Sequence, residues 1–275
     1  MQRALSETAL KLSYLVAVLA AVASAGGILI DGLYRDTEFV VSTWLGNDLV
    51  TLLVATPVLV GALVLTARGS ARATLVWLGM LDYMLYNFGF YLFGAAFNWF
   101  FFIYVVVFAL SIWALVMALM SLDVDQLAAG FDPLTPVRPI TGFMAFVGIA
   151  LPIIYFLQWL GFATSGEVPS IIEKSGHPTN IVFALDLSLV VPVMLVGAVL
   201  LWQRRGWGYA LAAMANVKGA VYMLALSAAT FTAFRAETVD SIAEVGLWLI
   251  IGVGSTIASV VLLHNLRLTH GRVPP

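Results

Sequence analysis

Apolar positions run almost uninterrupted in this chain, with short polar breaks between them. Runs long enough to cross a bilayer, roughly 20 residues each, cover residues 10–30, 49–66, 73–93, 99–120, 141–162, 181–202, 209–231 and 243–266. The pattern predicts an all-α polytopic integral membrane protein with eight transmembrane helices in a single membrane domain spanning residues 1–275. The first run ends in Ala23-Ser24-Ala25, which has the look of a leader-cleavage site, but apolar sequence continues through Ile30 and is long for a leader, so a retained helix is expected. Residues 122–140, with Asp132-Pro133, Thr135-Pro136 and Arg138-Pro139, form the least apolar long interior stretch and mark the midpoint.

The third run carries the exception to its own pattern: Leu81-Asp82-Tyr83-Met84-Leu85-Tyr86-Asn87. A carboxyl at mid-bilayer depth is costly and is rarely left without a partner or a task. At 100° per residue, Asp82, Tyr83, Tyr86, Asn87 and Phe90 share one arc, and Leu81, Leu85, Phe88 and Leu92 share the other. A polar aromatic face and a lipid face are therefore expected. Lys218, in Asn216-Val217-Lys218-Gly219-Ala220-Val221-Tyr222, is the one cation at comparable depth. Both charged residues lie roughly 14 Å along their helices from the nearer end at 1.5 Å per residue. Facing helices would make them a charge pair, walled by Tyr83, Tyr86, Asn87 and Tyr222, that binds an ion or polar solute or relays protons; a permanent structural bridge needs the same two residues and no cavity. Asp186 is expected nearer the outer end of the sixth helix, lining a vestibule or resting at a helix N-terminus. Asp48 is expected to cap the second helix, and Thr51 and Thr56 to bond their own helix backbone.

Two halves resemble each other. Shifting by 136 residues lays Val60-Gly61-Ala62 on Val196-Gly197-Ala198, Arg68 on Arg204, Asp82 on Lys218 and Tyr86 on Tyr222. This suggests a 4+4 parallel repeat, residues 1–121 and 141–272 joined by 122–140, related by an axis along the membrane normal.

Composition sharpens the class. The chain has 275 residues, 62% hydrophobic and only 10% charged, against about 45–50% and about 25% in soluble domains. It has no cysteine, which removes disulfides, thiolate chemistry, Cys-ligated zinc and iron–sulfur clusters. His177, His264 and His270 fall in loops or at a helix end, so no haem, zinc or iron–sulfur ligand set is evident and any cofactor is unknown. Charge alternates between loops: Arg3, Lys11, Arg68, Arg72, Arg138, Arg204, Arg205, Arg267 and Arg272 on one set, where only the loop with Asp123, Asp125 and Asp132 is mixed, and Asp31, Asp36, Glu38, Glu167, Glu173, Glu237 and Asp240 on the other, with only Arg35, Lys174 and Arg235 as cations. The positive-inside rule then places both termini in the cytoplasm, with the protein in the plasma (inner) membrane. Nucleic acid is not an expected partner; the lipid bilayer, a small solute or ion, and a homo-oligomer or larger membrane complex are.

A buried lysine late in a helical chain, with an aspartate on an earlier helix and Ala55-Thr56-Pro57 on another, resembles the Schiff-base lysine and counterion of microbial rhodopsins. That resemblance implies a retinal-type chromophore on Lys218. It departs from the pattern in the number of spans, in placing Asp82 and Thr56-Pro57 on different helices, and in lacking Asp or Trp beside Lys218. No HExxH motif, paired carboxylates at helical spacing or Ser-Lys arrangement presents itself, so enzymatic function is not favoured. The leading expectation is a carrier or proton- or ion-coupled transporter of a small solute, and the alternative is an accessory, lipid-binding or sensory subunit.

Overall fold

The computed structural model describes residues 2–267, with side chains from residue 6 onward. Arg272 and His270, both used in reading the loops, lie outside the described residues. Eight long helices organise the chain: α1 (Gln2–Leu29), α2 (Glu38–Ala67), α3 (Ala71–Gly94), α4 (Phe101–Ser121), α5 (Val137–Ser165), α6 (Ile181–Trp202), α7 (Gly206–Arg235) and α8 (Ala243–Asn265). Short helices Val124–Gly130 and Ser170–Ser175 sit in the connections before and after α5. Among the described residues there is no strand, only the isolated bridge Phe131 to Leu266. Seven of the helices are long and apolar enough to cross a membrane, so this is a helical membrane protein. The eighth, α3, has the length at 24 residues, but its polar side chains take it out of that set.

Helix ends follow local chemistry. Thr37, Ser70 and Asn180 accept from the backbone N–H three residues on, capping α2, α3 and α6. The second helix begins eleven residues before the apolar run does, at Glu38 instead of residue 49. Asp48 is therefore interior to α2, and the expected cap is corrected. Pro57 and Pro192 lie two residues beyond single π turns, Thr51–Ala55 in α2 and Asp186–Val190 in α6. Each π turn displaces the backbone ladder by one bond just before a residue that cannot donate.

Connections sort the helix ends onto two faces. At one, the Arg72 guanidinium donates to the carbonyls of His264 and Leu266 (3.3 and 2.7 Å), the Arg267 N–H donates to Gly130 O (2.8 Å), and Arg204 donates to Thr135 O (3.1 Å). Arg267 also pairs with Asp132 at 2.7 Å; the Leu134 N–H, and then that pairing, hold the Asp132 carboxyl below the usual carboxylate range. At the other face, Ala96 N–H donates to Asp36 (2.8 Å), Thr37 to Lys174 O (3.0 Å), and Ser42 and Thr238 share a bond (3.0 Å). Phe97, Trp99 and Phe102 project outward beside this second face, as an interfacial belt does.

Within the bundle α3 is central. It packs against α1, α2, α4, α6 and α7. The expected lipid face is corrected here, because Leu81 and Phe88 are as buried as Tyr83 and Tyr86. Neighbouring helices supply the apolar outer surface instead, notably Phe146, Ile153, Phe156 and Trp159 of α5 and Ile250, Val253 and Ile257 of α8. Small residues let helices close in: a Cβ on Gly46 of α2 would overlap the backbone of Ala228 and Ala229 in α7, and one on Gly79 of α3 would overlap Val217 of α7.

Gly46→Ala therefore destabilises the bundle by about 1–3 kcal/mol, since the obstructing atoms are backbone and cannot rotate away. Gly61→Ala, where a methyl group meets open space, shifts stability by less than about 0.5 kcal/mol. Thermal melting of the detergent-purified variants measures both.

Candidate functional site

Among the described residues, four side chains of charged type are buried: Asp48, Asp82, Asp186 and Lys218. Each lies on a different helix; tyrosine hydroxyls bond Asp48 and Asp186, and the Tyr86 ring lies under Lys218. A tyrosine suits this task because its ring packs like a hydrocarbon while its hydroxyl satisfies a carboxylate.

The first network joins α3, α5, α6 and α7. Asp186, at the start of the α6 π turn, accepts from Tyr86 (2.7 Å) and from Tyr155 (2.5 Å). The Tyr222 hydroxyl donates to the Tyr86 hydroxyl at 3.2 Å, and the two rings meet edge-on with centroids 4.7 Å apart. The Lys218 ammonium rests 4.0 Å above the Tyr86 ring, a cation–π contact that is strong when desolvated. Lys218 is electrostatically coupled to both Asp82 and Asp186. Counting from Ala71 along α3 and from Gly206 along α7, Asp82 and Lys218 lie about 16 and 18 Å from the arginine-rich face. Asp186 lies about 24 Å from the same face, counted from Trp202.

A second network occupies the space between α2 and α3. Asp48 accepts from Tyr34 (2.6 Å) and Tyr91 (2.8 Å). Asn47 donates to Asn87 (2.8 Å) and to Tyr91 (3.0 Å), Asn87 donates to Thr51 (3.3 Å), and Thr51 bonds Tyr83 (2.8 Å). The chain of bonds thus runs from the loop after α1 inward to the residue beside Asp82.

Placement of the expected site residues follows from these bonds. Tyr86, Asp186, Lys218 and Tyr222 come together beside α3, with Asp82 one turn before Tyr86 on the same helix, whereas Tyr83 and Asn87 join the Thr51 and Asn47 bonds of the second network. Thr51 bonds across to α3 instead of back to its own helix. Asp82 and Lys218 lie on helices that pack against each other but share no direct salt bridge. Tyr34, Tyr91 and Tyr155 join these networks without a place in the sequence reading, and Asp48, expected as a cap, is a carboxyl hub instead. Tyr91 repeats Tyr83 and Asn87 at four-residue spacing, a visible signal; Tyr34 in a loop and Tyr155 after Pro152 offer none. Among the described residues no group of three or more metal-ligating side chains gathers. Comparison with protein-family models, curated proteins and solved structures finds no match.

The Asp186 hub predicts strong coupling. In a double-mutant cycle between Tyr86→Phe and Asp186→Leu, unfolding in detergent should show an interaction energy of about 1–3 kcal/mol. Tyr34→Phe combined with Asp186→Leu should be additive to within about 0.5 kcal/mol. Additivity of the first pair would show that this hydrogen bond does not hold the bundle together.

Proposed function

We propose that the protein is a proton- or cation-coupled carrier of a small polar solute, working at the Asp82, Asp186 and Lys218 cluster. The observation that carries this reading is the imbalance of charge inside the bundle. Among the described residues three buried carboxyls stand against one buried amine, and an uncompensated charge in the hydrocarbon layer costs several kcal/mol. Two of the carboxyls are neutral only when they hold a proton or a cation, so the bundle has a capacity for exchangeable charge. Helix breaks at the same level support the reading. The π turns of α2 and α6 adjoin Asp48 and begin at Asp186, and irregular backbone at membrane depth is tolerated where it serves a polar interior.

Eight spans and a 4+4 arrangement belong to the same proposal. In its favour, α3 runs the full distance between the two faces: Arg72 at its start bonds the chain after α8, and Ala96 just beyond its end bonds Asp36. Helix pairs recur in both halves: α1 with α2 and α5 with α6, α3 with α4 and α7 with α8. Tyr86 and Tyr222, 136 residues apart, meet hydroxyl to hydroxyl where the two halves join, as residues equivalent under a twofold axis do. The arginine-rich face then lies in the cytoplasm of a plasma (inner) membrane protein, with both termini on that side.

Reconstituted protein under an imposed inward proton gradient should accumulate at least one member of a panel of labelled small polar solutes. Asp82→Asn and Asp186→Asn should abolish that uptake while the variants still reconstitute. Absence of any uptake, with Asp82→Asn altering only assembly or stability, supports the accessory-subunit reading instead. Because the chain has no cysteine, single-cysteine labelling is clean. With an impermeant maleimide on intact cells, Phe97→Cys should react and Arg68→Cys should react only after permeabilisation; reaction of both from one side removes α3 as a span.

A further inference from the structure

Away from the buried networks, the arginine-rich face holds an open pocket of about 510 Å³ where α6 ends and α5 begins. Residues 133–139, Trp202 and Arg204 line it. Arg138 and Arg204 bring two guanidinium groups to this space, and no acid is among the lining residues. Asp132, just before them in the chain, already accepts from Arg267 and from the Leu134 N–H. The Arg138 guanidinium lies 5.7 Å from the centre of the Trp202 ring and has no carboxylate partner among the described residues. Arg204 donates to Thr135 O (3.1 Å) and to the Tyr209 hydroxyl (3.4 Å), which leaves further N–H groups for a ligand. Its backbone is also held where an arginine is costly, at φ 54°, in the left-handed turn that closes α6. The end of α2 makes the same turn with a glycine. There Gly69 and Ser70 N–H donate to the Thr66 and Leu65 carbonyls (2.8 and 3.1 Å), as Arg204 and Arg205 donate to Leu201 and Leu200 (2.8 and 3.0 Å). The turn itself therefore does not call for an arginine.

Apolar surface leads from the pocket along the two spanning helices. Phe146, Ile149 and Ile153 follow Arg138 along one side of α5, and Val196 and Val199 precede Trp202 on α6; all are exposed. Beside the pocket itself Leu134 is 87% and Trp202 59% exposed. A soluble anion would use the guanidinium groups alone, whereas an anion carried on acyl chains uses both the charge and the apolar surface below it. We propose that this pocket binds the phosphate headgroup of an anionic phospholipid, with the phosphate held by Arg138 and Arg204 and the chains lying along α5 and α6. Arginine suits the task because its planar fork of N–H groups matches phosphate oxygens. Basic pockets between spanning helices hold lipid headgroups in this way. The proposal does not depend on the carrier reading.

The test is native mass spectrometry of the detergent-purified full chain, titrated with phosphatidylglycerol and with phosphatidylcholine of the same acyl chains. Phosphatidylglycerol should bind at least about tenfold more tightly, and Arg138→Gln and Arg204→Gly should each weaken it about fivefold, the factor for one arginine at an anionic lipid surface. Arg204→Gly separates binding from a structural role. Glycine relieves the left-handed backbone as the side chain is lost, so lipid binding falls while the melting temperature stays within about 4 °C of the unaltered protein. Should that variant fail to fold, Arg138→Gln, which gives up no hydrogen bond within the protein, decides the matter. Arg68→Gln, on the same face but outside the pocket, should leave binding unchanged. Equal binding of the two lipids, unchanged binding in Arg138→Gln, or an equal loss in Arg68→Gln overturns the site. Inorganic phosphate and glycerol 3-phosphate, which bring the anion without chains, should bind at least about tenfold more weakly than phosphatidylglycerol. Binding of either as tight as the lipid's assigns the pocket to a soluble anion and overturns the proposal.

Discussion

Hydrocarbon offers no hydrogen bonds, and α3 carries five polar side chains along its length: Asp82, Tyr83, Tyr86, Asn87 and Tyr91. At 100° per residue the five spread over about half of its circumference, too wide a face for one neighbouring helix to cover. Several neighbours are needed. The other helices accordingly form a wall about α3, and the apolar surface that faces lipid comes from α5, α8 and the outer sides of α1, α2 and α4. Packing α3 among five helices covers that polar half, while Leu85, Leu92 and Phe93 of α3 stay partly or largely exposed.

Two aspartates make that enclosure specific. Asp186 on one side and Asp48 on the other each draw in two tyrosines, and each pair includes one hydroxyl from α3. The bonds cross between helices, so they fix rotation and depth of α2 and α6 relative to α3. Both of those helices carry their π turn within this region, which turns the carboxyl or its neighbours toward α3 without moving the flanking backbone. Where apolar packing alone would permit sliding, carboxyl acceptors with two donors each do not. Lys218 occupies the remaining gap, over the Tyr86 ring and between the fields of Asp82 and Asp186.

Much of this was legible in the sequence. Apolar run lengths locate the helices, and the helices that carry Asp82 and Lys218 pack against each other. Asp186 bonds Tyr86, whose ring carries Lys218. Other features required the third dimension. Asp48 reads as a cap because the strongly apolar run begins just after it, whereas α2 extends back to Glu38 through Phe39-Val40-Val41 and Trp44, a stripe obscured by Ser42, Thr43 and Asn47. Leu81 and Phe88 read as lipid-facing because an apolar arc on a spanning helix usually is; they are buried because five helices pack against α3. Tyr34 and Tyr155 reach their aspartates from a loop and from beyond a proline, where helical periodicity gives no information about direction.

Coupling between the two unbridged charges is what the account most needs. The direct measurement is the unfolding stability of Asp82→Asn, Lys218→Met and the double variant in the same detergent. Each single change strands a charge in the interior, while the double change removes both, so the account predicts a double variant more stable than the sum of the two losses implies. Strict additivity would mean that Asp82 and Lys218 do not share an interior, and would contradict it.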